Sequence, residues 1–138
     1  MDLIVNVDVN DLEKAVRFYC SGFGLMVGRR FGALGVKMLG SSNPIHLIVK
    51  SPGTSASDTT SQRRSYQRHW TPVHLDFMVD EIESAVQRTV LAGARLEQPV
   101  VIYKWGKLAL LADPFGHGFC FVQFLGRGYD EIAEEQRR

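Results

Sequence analysis

Asp113-Pro114-Phe115-Gly116-His117-Gly118-Phe119-Cys120-Phe121-Val122-Gln123-Phe124 is the stretch that decides the fold. Its first four residues have the chemistry of a tight turn. Proline pre-sets φ at the second position, and glycine at the fourth tolerates positive φ. The apolar run Leu108 to Ala112 precedes it, and an aromatic, β-branched run, Phe119 to Phe124, follows. Strand, turn, strand is the pattern, with both strands largely buried. Alternation sends Cys120, Val122 and Phe124 to one face and Phe119, Phe121 and Gln123 to the other. Such a hairpin closes a sheet, and the rest of the chain must supply what covers its faces.

Upstream of it, one pattern occurs twice. Leu3, Val5, Val7 and Val9 form an apolar face, with Ile4, Asn6 and Asp8 opposite. Asn10 is expected to cap a helix, with Glu13 completing a capping box. Leu12, Ala15, Val16 and Tyr19 follow at helical spacing, and Gly22 is expected to end the helix. Strands are predicted over 27–30, 35–39 and 45–49, with a turn at 40–44. At a constant spacing of 70 residues, Ile4 then matches His74, Asn6 matches Asp76 and Glu13 matches Glu83. Val73, Leu75, Phe77 and Val79 repeat the apolar face, Asp80 the cap, and Ile82, Ala85 and Val86 the helix stripe. Gly93 ends the second helix, and strands over 98–103 and 107–112 lead into the closing hairpin. The chain is therefore expected to be an α+β protein of two βαβββ modules, residues 1–50 and 73–125, forming one compact domain. A tail over 126–138 holds one short helix, with Asp130 and Glu131 early and Arg137 and Arg138 late, as the helix dipole prefers.

The connection over 51–72 has another character. Ser, Thr, Asp, Gln and Arg dominate, no apolar period survives, and it reads as a linker or mobile loop. It carries Arg63, Arg64, Arg68, Tyr66 and Trp70, the ingredients of a basic, aromatic lid, although such runs are more often simply solvated.

Composition narrows the function. With 138 residues, 45% hydrophobic and 22% charged, the chain suits a soluble globular domain. A net charge of +1 gives no global argument for nucleic acid or an anionic membrane. The amino terminus has no signal-peptide pattern, and no apolar run is long enough to span a bilayer. Cys20 and Cys120 have neither disulfide-scaffold nor CxxC spacing, so free thiols in a reducing cytoplasm are expected.

In each module the helix covers the odd-numbered face of the first strand, and nothing in the sequence covers the other. Such sheets curl around something or pair with a copy of themselves. The groove between them would be lined by Ile4, Asn6, Asp8, His46, Ile48, His74, Asp76, Cys120, Val122 and Phe124. Trp70, Tyr103, Trp105 and Phe124 are the side chains suited to stacking on a planar ligand. Arg29, Arg30 and Lys37 make the middle strands of the first module basic, which favours an anionic ligand. His117, in the turn, is expected to be exposed.

With its repeat, capped helices and Asp-Pro-x-Gly turn before the last strand, the chain resembles the vicinal-oxygen-chelate superfamily over Leu3 to Phe124. That group includes glyoxalase I, bleomycin-resistance proteins, fosfomycin-resistance enzymes and extradiol dioxygenases. The resemblance implies paired modules and a homodimer whose modules pack or swap across subunits. It also implies metal ligands on the first and last strands of each module, at Ile4, His46, His74 and Cys120. His74 matches that pattern and His46 is acceptable, but Ile4 has no donor and Cys120 replaces a carboxylate. The carboxylates used in glyoxalase-type isomerisation are therefore missing. The expectation is a metal-free homodimer that holds a small aromatic or amphipathic ligand and needs no cofactor. Its groove is Asn6, His46, Ile48, His74, Asp76, Cys120, Val122 and Phe124, and no catalytic residue is assigned. The alternative is a divalent-metal lyase, isomerase or ring-cleaving dioxygenase with His46, His74 and Cys120 as ligands.

Overall fold

The computed structural model describes residues 1–135. Its elements run β1 (Val5–Val9), α1 (Leu12–Phe23), β2 (Met26–Arg30), β3 (Gly35–Leu39) and β4 (Ile45–Val49). After the connection come β5 (Leu75–Met78), α2 (Ile82–Ala92), β6 (Arg95–Tyr103), β7 (Gly106–Ala112) and β8 (Gly118–Phe124). This is an α+β fold of two βαβββ modules. The sheets have matching orders, β1-β4-β3-β2 and β5-β8-β7-β6, each with one parallel pair at the first strand.

One core lies between the sheets' covered faces and the two helices. Val36, Met38, Ile45 and Leu47 from the first sheet are buried with Ala109, Leu111, Phe119 and Phe121 from the second. Phe23 of α1 reaches into the second module, its ring 4.8 Å from Phe77 and 5.0 Å from Phe119. The helices meet at Gly22, where a Cβ would lie 3.3 Å from the Thr89 methyl. The Gly22 carbonyl accepts from Arg88 Nε of α2 at 2.9 Å and lies 3.0 Å from the buried Thr89 hydroxyl, whose shorter acceptor is the Ala85 carbonyl at 2.6 Å.

The helix ends differ from the sequence expectation. Gly22 lies inside α1; the helix stops at Gly24, whose φ of 71° is the left-handed cap that glycine adopts freely. Asp11 rather than Asn10 caps α1, accepting from the Lys14 amide at 3.1 Å. On α2 the cap position is Glu81, not Asp80, and its side chain caps nothing. Instead Gln123 of β8 accepts from the Ile82 amide at 2.9 Å, a capping bond supplied from far along the chain.

The Asp-Pro-x-Gly turn fastens one module to the other. Asp113 is buried; its Oδ1 accepts from the Phe115 and His117 amides at 2.8 and 2.9 Å. Its Oδ2 accepts from the Tyr19 hydroxyl of α1 at 2.7 Å. Burial first, and then the Asp113 carboxylate, hold the Tyr19 phenol well above its usual pKa of 10.

The connection over 51–72 lacks regular structure, yet it is pinned along its length. Ser55 and Arg63 form an isolated bridge. Arg64 pairs with Asp8 at 3.0 Å and Arg68 with Glu97 at 2.7 Å, and Tyr66 donates to the Lys50 carbonyl at 2.5 Å. It is a strap rather than a loose linker, because its arginines and tyrosine each find fixed acceptors. At the other end of the chain, Gly128–Glu131 forms a short 3₁₀ turn, and Arg137 and Arg138 lie outside the described residues. Among the described residues, no helix is long and apolar enough to cross a membrane.

Candidate functional site

Alternation leaves one face of each sheet turned away from the helices, and each such face carries a pocket. The second-module pocket, of about 220 Å³, is lined by Gln98, Leu108, Leu110, Gly118, Cys120 and His74, with Arg68, Trp70 and Thr71 of the strap at its mouth. Its floor is apolar and its polar groups converge from the rim, the usual make-up of a small-molecule site. Strand pairing builds that floor: Leu110 lies opposite Cys120, and Cys120 opposite Asp76.

Arg68 fixes the mouth. Its Nε and Nη2 donate to both oxygens of Glu97 at 2.7 and 2.9 Å, a bidentate pair. The guanidinium lies where a Gly118 Cβ would stand, 2.5 Å from that position. Only glycine at 118 lets the arginine lie there. Two residues on, Trp70 stands at the pocket edge with 79% of its surface exposed.

His74, Asp76 and Cys120 converge, with one ligating atom from each within 4.8 Å of the others. His74 Nε2 stands 3.4 Å from Asp76 Oδ1. Burial, followed by the charge and hydrogen bonding of Asp76, pushes the Cys120 thiol up to about 11. At neutral pH it is a thiol rather than the thiolate that a nucleophile needs.

The first-module pocket, of about 340 Å³, is lined by Ile4, Asn6, Phe31, Leu34, Gly35, Val36, His46, Leu47 and Ile48. The sequence grouped Asn6, His46 and Ile48 with His74, Asp76 and Cys120. Within one chain the two sets lie on separate sheets, and the pockets share no lining residue. The expected trio His46, His74 and Cys120 is thus not assembled, since His46 belongs to the other sheet; Asp76 takes the third place instead. Val122 is buried, 1% exposed, and Phe124 joins Trp105 and Tyr129 in an aromatic cluster, so neither lines a pocket wall. Tyr103 stacks on Trp105, with ring centroids 5.3 Å apart, which uses one face of each.

His117 is half-buried rather than exposed, its Nε2 2.7 Å from the Asp8 carbonyl. The strap closes over the turn and covers it. Sequence reasoning missed Gln98, Leu108, Leu110 and Thr71 at the second pocket, and offered Arg68 and Trp70 only as ingredients of a lid. The alternation of β7 already placed Leu108 and Leu110 on one face; nothing in the sequence placed Arg68 and Thr71 there.

With this geometry in view, comparison with known proteins identifies the class. The chain belongs to the glyoxalase-like domain family, whose model matches residues 4–122. Its structural neighbours are members of the glyoxalase/bleomycin resistance/dioxygenase superfamily. It superposes on the hypothetical protein SA1046 from S. aureus with TM-score 0.70 and 21% identity, over 89% of this chain and 93% of that one. TioX from Micromonospora sp. ML1 gives 0.69 and 18%, over 91% and 99%. The fosfomycin resistance protein FosX from Listeria monocytogenes gives 0.69 and 16%, over 95% and 96%. At such identities these structures share the fold. No curated protein matches by sequence.

The family's metal pattern fits this chain poorly. Ile4 offers no donor, and the buried thiol of Cys120 stands where that pattern has a carboxylate; within one chain, His46 also lies on the other sheet.

Proposed function

We propose that the protein is a homodimer that binds a small aromatic or amphipathic molecule without a metal. Its groove forms where the uncovered first sheet of one copy faces the uncovered second sheet of the other. The observation that carries this is the separation of the two pockets: each is open and half-walled, and the pattern that would join them is split between sheets. An isologous pairing of two copies closes both grooves at once. The apolar floor of Leu108, Leu110 and Cys120 takes the ligand's body. Trp70 stacks on it, and Gln98, Thr71 and His74 orient its polar groups. A reducing, cytoplasmic setting suits its two free cysteines.

One observation favours the metal-dependent alternative, namely the convergence of His74, Asp76 and Cys120. Such a mixed set is zinc-like, and binding would have to displace the thiol proton.

Metal analysis of untagged protein, paired with sedimentation, tests the proposal. The expected result is a dimer at micromolar concentration, burying roughly 2,000 Å² or more, with substoichiometric metal. Stoichiometric zinc, nickel, manganese or iron that disappears in His74→Ala would establish the alternative. A monomer would remove the shared groove.

A further inference from the structure

Strand pairing aligns Asn6 with His46, His46 with Lys37, and Lys37 with Arg29, a single row across all four strands of the first sheet. Val36, Met38, Ile45 and Leu47, the alternating neighbours of this row, are buried in the core. The row therefore stands on the uncovered face. Phe31 gathers it: its ring centroid is 6.2 Å from that of His46, and the Arg29 guanidinium carbon lies 5.5 Å from it.

Two features of the row bear on what it meets. Arg29 and Lys37 sit directly opposite each other on adjacent strands, where like charges repel. Among the described residues neither has a salt-bridge partner to offset that repulsion. Asp8, an acid on the same face of β1, is engaged by Arg64. In addition, His46 Nδ1 is buried with no hydrogen-bond partner. With Nδ1 enclosed, Nε2 is the ring nitrogen left to meet a ligand in the pocket. The equivalent row of the second sheet, Asp76, Cys120, Leu110 and Gln98, contains no cation.

We infer that Arg29, Lys37 and His46 form an anion subsite, and that the ligand is a small amphipathic acid. One carboxylate, sulfonate, phosphonate or phosphate group lies on the row, and an apolar body rests against Ile4, Leu34 and Ile48 and the facing second-module floor. This assignment rests on the groove proposed above. Paired dyes separate the two ideas: 8-anilino-1-naphthalenesulfonate and its uncharged counterpart N-phenyl-1-naphthylamine share a body and differ in the anion. In equilibrium fluorescence titrations the wild-type dimer binds the sulfonate roughly tenfold more tightly than the amine, an advantage that shrinks as salt is raised. The double variant Arg29→Gln/Lys37→Gln loses that advantage and keeps its affinity for the amine. The charge-preserving Arg29→Lys/Lys37→Arg retains most of the advantage. Equal affinities for both dyes in wild type, or an equal loss of both in the glutamine variant, would overturn the anion subsite alone. If neither dye binds, the groove falls and the subsite with it.

Discussion

The two sheets are laid out alike strand for strand, and their covered faces are interchangeable in character, while their uncovered faces differ in kind. The covered faces are both apolar, with Val36, Met38, Ile45 and Leu47 in one and Ala109, Leu111, Phe119 and Phe121 in the other, because both must fill one core. The uncovered rows, Asn6-His46-Lys37-Arg29 and Asp76-Cys120-Leu110-Gln98, have one position of polar likeness and then part company. Packing constrains one side of a duplicated sheet and leaves the other open to change. In the proposed groove, that freedom is where ligand chemistry is written. One half supplies cations, and the other an apolar floor.

The contrast depends on the two faces being held in a fixed relation, so its largest test is the tie between modules. Asp113→Ala leaves the Tyr19 hydroxyl and two amides without their acceptor. The expected cost is about 3 kcal/mol, or a fall in Tm of about 10 °C by calorimetry. A change under about 0.5 kcal/mol would mean that packing alone joins the modules. Tyr19→Phe costs less and changes the alkaline limb of stability. The folded phenol titrates above its unfolded value, so its contribution is complete below pH 10 and lost above it. The variant should show a shallower decline there.

The strap comes second, because it belongs to one face only. The Glu97 carboxyl is held below its usual range by its hydrogen bonds to Arg68. Its stabilisation is therefore present above the unfolded value near 4.5 and is lost as pH falls through the folded one. Glu97→Gln should cost about 1 kcal/mol or less, since the pair is partly exposed. It should also speed proteolytic cleavage within 51–72 at neutral pH to the rate that wild type shows only in acid. Unchanged cleavage would show that the other strap contacts suffice.

The smallest effect concerns Cys120. In a Cys20→Ala background, iodoacetamide should label it very slowly at pH 8, with the rate climbing towards pH 11, because the thiol titrates at about 11. Asp76→Asn should raise the rate at pH 8 several-fold by removing the neighbouring negative charge. Rapid labelling of the parent at pH 8 would reopen Cys120 as a ligand or nucleophile.

How much of this the sequence revealed follows the same division. The repeat, the strand faces and the closing hairpin were legible because burial enforces period and turn chemistry. The amino-terminal caps were misplaced by one residue and the end of α1 by two, and nothing local showed that Gln123 would cap α2. Likewise, Asn6, His46, His74 and Cys120 were recognisable as face residues. That they divide between two pockets depends on how the modules pack, through Gly22, Thr89 and Phe23, which no local pattern encodes. The strap's role was hidden for a related reason: its aperiodic residues take their positions from partners such as Asp8 and Glu97.

The central claim is that unlike faces from two copies make one groove, and complementation tests it most directly. His46→Trp fills the first-module pocket and Leu110→Arg spoils the second, so each variant alone should fail to bind N-phenyl-1-naphthylamine. After the two are mixed and allowed to exchange subunits, about half the dimers are mixed, and each mixed dimer keeps one groove free of both substitutions. The account predicts recovery of about a quarter of the wild-type binding capacity, at wild-type affinity. No recovery, in a mixture shown to have exchanged, would place each groove within a single chain and contradict it.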